Sequence, residues 1–111
     1  MKISAAVPAL SALAQETRLA IFRYLIKAGP EGAIVNEIRD QLDIPNATLS
    51  FHLNTLKQTG LVECRRNGRE LIHTANYTFM RDLLTFLIED CCAANKEICC
   101  TLPQLIRSKR C

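Results

Sequence analysis

Apolar residues recur at helical spacing along most of this chain, and a single stretch after Gly60 departs from that period. Leu49, Leu53 and Leu56 stand at i, i+4 and i+7, so Ile44–Gln58 reads as a helix with one buried stripe. Pro45 suits a first helical turn and Gly60 lies just past the far end, which punctuates the segment on both sides. At about 100° per residue, Ala47, Phe51, Asn54 and Gln58 project opposite the stripe, with Thr48, Ser50 and Thr55 beside them. That outward face carries no acidic residue. Small, amide and hydroxyl side chains suit base edges and phosphates in a major groove; an isolated helix of this kind is equally a solvated amphipathic one.

The neighbouring segments supply context. Gln15–Lys27 reads as a helix with Leu19, Phe22, Leu25 and Ile26 as its buried stripe, ended by Gly29-Pro30. Ile34–Leu42 repeats the pattern with Ile34, Ile38 and Leu42 on one face. Leu42-Asp43-Ile44-Pro45 is a tight connection from there into the central helix, and the pair forms a helix-turn-helix pattern. At the start, Met1–Ala14 places Val7, Leu10 and Leu13 on one face, with Pro8 expected at a helix start or a break. Asn76 to about Ala93 is the last helix, with Met80, Leu84, Leu87 and Cys91 in one stripe, widened by Leu83 and Ile88. Apolar helices at both ends of a small domain predict a dimer seam.

After Gly60 the period becomes two. Leu61–Arg66 and Arg69–Thr74 alternate on either side of Asn67-Gly68, which predicts a hairpin with a type I′ turn, both central residues at positive φ. Arg65, Arg66 and Arg69 crowd its tip, with no acid until Glu70. Charged tips also serve solubility, but three arginines behind a helix-turn-helix point to a wing that touches phosphates or the minor groove. The predicted fold is mainly α with a β-hairpin wing. Residues 1–93 are the winged-helix DNA-binding and dimerisation domain, and residues 94–111 a cysteine-containing C-terminal tail.

Composition narrows the function classes. At 111 residues, 49% hydrophobic and 23% charged, the chain fits one globular domain. A net charge of +3 permits an anionic partner without demanding one. Aromatic residues make up only 5%, with no Trp, which argues against a stacking platform for single strands. No apolar run reaches membrane-spanning length and the first residues do not read as a signal peptide, so a cytoplasmic location with reduced thiols is expected. No nucleophile–base pair or acid pair assembles, so an enzyme is not expected.

Leu13-Ala14-Gln15-Glu16-Thr17-Arg18-Leu19, Ala47-Thr48-Leu49-Ser50-Phe51-His52-Leu53, Gly60-Leu61-Val62 and Arg66-Asn67-Gly68-Arg69 together resemble the ArsR/SmtB family of winged-helix, metal-responsive repressors. The resemblance covers roughly Met1 to Ala93. It implies a homodimer joined by the first and last helices, with one recognition helix per subunit in successive major grooves of double-stranded operator DNA. It also implies derepression when an inducer binds. By the same resemblance Asn46, Ala47, Thr48, Ser50 and His52 occupy the DNA-facing segment. Many relatives carry a basic residue where Phe51 stands, so contact with a thymine methyl is the alternative to a phosphate contact there. His52 projects toward the buried flank, and a packed histidine bonded to backbone stands beside a DNA contact as its two readings.

Six cysteines in a reduced protein point to metal or redox chemistry before disulfides. Family members with a metal site on the helix before recognition carry cysteines there, whereas Ile34–Ile38 has none. Those with zinc between the last helices use histidines and carboxylates, whereas His52 and His73 lie on other elements. What remains is Cys91-Cys92 and Cys99-Cys100, with six residues between. Adjacent thiolates followed by a return of the chain can bring three sulfurs to one thiophilic centre, as trivalent arsenic or antimony requires. This resembles the arsenic-responsive branch of the family, whose cysteines follow the last helix. The expected ligands are Cys91, Cys92 and one of Cys99 or Cys100, with As(III) or Sb(III) as inducer. Four thiolates also suit tetrahedral zinc, and a zinc- or cadmium-binding or redox-responsive interaction protein is the alternative. Cys64, alternating within a strand, is expected to pack, and Cys111 to be a free thiol.

Overall fold

The computed structural model describes residues 1–88. Their order is α1 (Ile3–Leu13), α2 (Glu16–Ala28), β1 (Ala33–Ile34), α3 (Val35–Leu42), α4 (Asn46–Thr59), β2 (Val62–Asn67), β3 (Glu70–Ala75) and α5 (Tyr77–Ile88). This is the mainly helical winged helix-turn-helix that the sequence pattern predicts. The core lies where α2, α3 and α4 converge: Ile21, Leu25, Ile38, Leu49, Leu53, Leu56 and Leu61 have no side chain left in water. Each such burial is worth about 1.5–3 kcal/mol. The leucine stripe of α4 is thereby wholly inside, which turns its polar face outward.

Local chemistry sets the helix ends. The side chain of Gln15 accepts from the Arg18 N–H at 2.8 Å and caps α2, and Asn76 Oδ1 accepts from the Phe79 N–H at 3.1 Å and caps α5. Asp43, at φ +53, closes α3 in the left-handed region and turns the chain into α4. Gly60, at φ +94, ends α4, and a Cβ there would press on the Phe79 ring at 3.1 Å.

The strands form one antiparallel sheet in the order β1-β3-β2. Ala33 and Ile34 pair with His73 and Ile72, and the hairpin runs from Val62–Ala75 to Asn67–Glu70. That closing pair leaves Gly68-Arg69 as the two central turn residues, with positive φ at Gly68 alone. The turn therefore follows the type II′ pattern, with glycine first, and the expected Asn67-Gly68 type I′ turn is corrected by one residue.

Other expectations are also corrected. Pro8 lies inside an unbroken α1; Ser4, whose carbonyl it leaves without a donor, is exposed and open to water. The expected apolar stripe of α1, a partner face in the sequence pattern, is not overturned: Val7 and Leu10 are exposed, and the helix packs on the core through Ala6, Ala9 and Ala12, small side chains that let it sit close. On α2, Ile21 takes the core position assigned to Leu19, which is 43% exposed. Ile34 belongs to β1, because α3 begins only at Val35. Cys64 is exposed rather than packed, since β2 runs out past the helices and buries only Val62. Cys91 and the end of the last helix to Ala93, and the whole 94–111 tail, lie outside the described residues.

Candidate nucleic-acid interface

With Leu49, Leu53 and Leu56 inside, the outward face of α4 presents Asn46, Ala47, Thr48, Ser50, Phe51, Asn54 and Gln58. No acidic residue occurs anywhere in this helix. Phe51 is the large apolar exception, 65% exposed, and the Thr55 hydroxyl donates to its carbonyl at 3.2 Å. Asn46 is partly engaged: its Oδ1 accepts from Arg39 of α3 at 3.4 Å, while Arg39 also pairs with Asp40 at 3.0 Å. Among the described residues the Asn46 amide nitrogen has no acceptor.

His52 is half-buried on the flank of this face. Its partner is Arg18 of α2 rather than backbone: Nη1 lies 3.5 Å from His52 Nδ1, and Nε of the same guanidinium donates to the Ala12 carbonyl at 2.6 Å. Loss of hydration, and then the Arg18 charge, hold the imidazole below its ordinary titration range, so it is neutral around pH 7. The Phe51 ring stands edge-on to it at 5.6 Å and 68°. The sequence pattern does not pair Arg18 with His52. Nothing local distinguishes Arg18 from Arg23; the contact spans 34 positions.

The three wing arginines separate. Arg65 donates through Nη1 and Nη2 to the carbonyls of Pro30 and Glu31, at 3.4 and 3.2 Å, and so clasps the loop between α2 and β1. Arg66 occupies the next register position, on the other face of the strand, and Arg69 the turn itself; both are exposed. Behind them His73, paired with Cys64 in the middle of the sheet, is buried with Nδ1 lacking a hydrogen-bond partner. Burial first, and Lys57 second, push its titration downward. Cys91, Cys92, Cys99 and Cys100, the expected metalloid ligands, lie outside the described residues. Within the described residues no cluster of His, Cys, Asp and Glu could hold a metal ion. No described helix is long and apolar enough to cross a membrane.

Known proteins share this arrangement. A helix-turn-helix domain family matches residues 13–65. The transcriptional activator HlyU of Vibrio cholerae is 31% identical over 91 residues, 82% of each chain. A putative arsenical resistance operon repressor, ArsR of Halobacterium salinarum, is 42% identical over 67 residues, 60% of this chain and 51% of that protein. In fold the chain is similar to a homodimeric winged helix-turn-helix DNA-binding domain from Mycobacterium bovis, a possible ArsR-family regulator, with a TM-score of 0.65 at 23% identity over 85% of each chain. These relatives are regulators of transcription, not enzymes. Fold, helix-turn-helix and relatives agree: the chain belongs to the ArsR/SmtB family of winged-helix transcriptional regulators and carries a DNA-binding helix-turn-helix.

Proposed function

We propose that the chain is a cytoplasmic repressor that binds double-stranded operator DNA as a homodimer and releases it when trivalent arsenic or antimony binds its cysteine thiolates. The observation that carries the DNA half is the acid-free outward face of α4, together with the exposed Arg66 and Arg69 of the hairpin that follows it. Asn46, Ala47, Thr48, Ser50, Phe51 and His52 then meet base edges and nearby phosphates, and the wing arginines meet the backbone. Arg65 acts on the wing from behind, by fixing the loop it clasps.

The dimer half rests on two apolar faces that the described residues leave uncovered. Ile3, Val7 and Leu10 on α1 are exposed, as is Leu87 on α5, where Met80 and Leu84 are only half-buried. Joining two copies along α1 and α5 within residues 1–93 covers both faces and sets two recognition helices for successive major grooves. The M. bovis relative is homodimeric, which supports the same assembly here.

The inducer half rests on Cys91, Cys92, Cys99 and Cys100, which follow α5 in the sequence. Sulfur donors so clustered favour a soft, thiophilic centre over a hard cation, and the H. salinarum relative carries an arsenical-resistance role in its name. An inducer can shift the equilibrium only by binding the released state more tightly than the DNA-bound one. On this proposal, ligation by cysteines that closely follow α5 in the sequence supplies that difference by changing the seam and with it the spacing of the recognition helices.

A gel-shift titration of promoter DNA under reducing conditions, with arsenite and antimonite added separately, tests the reading. A retarded band that either metalloid abolishes is expected. A band that persists with both defeats the inducer half, and no band at low salt defeats the repressor.

A further inference from the structure

We infer that Arg18 is a positioning residue for DNA reading: it ties the end of α1 to the recognition helix and fixes His52 in the tautomer that offers Nε2–H outward. The inference rests on α4 being the DNA-reading helix. Arg18 is held at its root by the α2 cap, where its N–H meets Gln15. Its Nε donates to the carbonyl of Ala12, one of the last in α1 and without a donor inside that helix. The Nε bond orients the guanidinium, and Nη1 faces His52 Nδ1 at 3.5 Å, the outer limit of a hydrogen bond.

The tautomer follows from donor chemistry rather than from that distance. A guanidinium has five N–H donors, no acceptor and no accessible deprotonated form. A hydrogen on Nδ1 would set two donors head to head, so the single imidazole hydrogen resides on Nε2. That atom lies across the ring from Arg18 and meets no hydrogen-bond partner among the described residues. Phe51, edge-on to the imidazole, limits its rotation from the neighbouring position. His52 therefore presents one oriented N–H donor beside the exposed face of α4. Its natural acceptors are guanine O6 or N7, adenine N7, thymine O4 or a phosphate oxygen. The same guanidinium carries any movement of α1 at the dimer seam directly to this donor.

Two measurements test this. Imidazole ¹⁵N NMR of the full chain at neutral pH is expected to show His52 Nδ1 unprotonated and Nε2 protonated, with Arg18→Met introducing the other tautomer. In operator titrations, His52→Asn keeps an acceptor for Arg18, but its remaining amide N–H stands closer to the backbone than Nε2 and falls short of the acceptor that Nε2–H would reach. A loss of about tenfold in affinity, the scale of one hydrogen bond, is expected, with the salt dependence unchanged because no charge is removed. A protonated Nδ1 in the parent, parental affinity in His52→Asn, or a shallower salt slope in that variant would each overturn the inference. A parent that binds no duplex would instead overturn the DNA-reading role of α4 on which it rests. If Arg18→Met fails to fold, the parent spectrum and His52→Asn still decide the matter.

Discussion

The hydroxyl of Tyr77, the first residue of α5, donates to the carbonyl of Ile26 in the last turn of α2, 3.1 Å away. Carbonyls of a last turn have no donor within their own helix, so this bond satisfies one of them and fixes where α5 begins. Because α5 carries half of the proposed dimer seam, its anchoring also sets the seam. Tyr77→Phe keeps the ring and removes only the bond. A loss of about 1 kcal/mol is expected, seen as a melting temperature lower by roughly 4–8 °C. An unchanged melting curve would show that packing alone holds α5.

Gly32 and Gly68 both have positive φ, but only one is crowded. A Cβ on Gly32 would lie 2.5 Å from the His73 carbonyl oxygen, which is backbone and cannot swing away, whereas a Cβ on Gly68 meets nothing within 4 Å. Gly68→Ala is expected to cost about 1–2 kcal/mol, the backbone term alone. Gly32→Ala should cost distinctly more and separate β1 from β3. Chemical denaturation of the two variants checks the order, and equal midpoints would contradict it.

The sequence made the architecture legible, because its main signals are local. Period and punctuation identified α4, and Leu49, Leu53 and Leu56 are all buried as the spacing requires. The hairpin followed from alternation on either side of Asn67-Gly68. What escaped depends on contacts distant in sequence. The two-residue β1 exists only because β3 pairs with it, and Arg65 looked like a free tip arginine until the loop at Pro30 and Glu31 came within its reach. Cys64 alternates as a buried strand residue would, yet β2 extends beyond the helices that could have covered it. On α1 the large residues Val7 and Leu10 are exposed, while alanines make the contact with the core. Arg18 and His52 could be paired only by folding.

Buried and without a partner for Nδ1, His73 links stability to pH. Its folded titration lies below the ordinary value of 6.5, so between the two the unfolded chain binds the extra proton. Its contribution is therefore fully present above pH 6.5 and is lost as pH falls toward the lowered folded value. Urea midpoints are expected to drop between pH 7.5 and pH 5.5, and His73→Phe should remove much of that drop. A variant with the parent's full pH dependence would exonerate His73.

On the proposed function, the wing divides its arginines between DNA and fold. Arg66→Ala with Arg69→Ala should weaken binding to every duplex and reduce the salt slope by about 2, one counterion for each lost phosphate contact. Arg65→Ala should loosen the loop after α2 and lower stability, with a smaller effect on the slope. Affinities at two or more salt concentrations separate the cases. An unchanged slope in the double variant would remove the wing from the interface.

The central claim joins the DNA-binding fold to the cysteines at its C-terminal side, and release by arsenite tests it most directly. Fluorescence anisotropy of labelled operator DNA, under reducing conditions, would follow arsenite titrations of the parent, Cys91→Ser, Cys92→Ser and the double change Cys99→Ser with Cys100→Ser. The account predicts that all four bind the operator alike and that arsenite releases only the parent, with Cys64→Ser and Cys111→Ser behaving as the parent does. Release of Cys91→Ser at the parent's arsenite concentration would contradict the ligand assignment, and a parent that arsenite leaves bound would contradict the account itself.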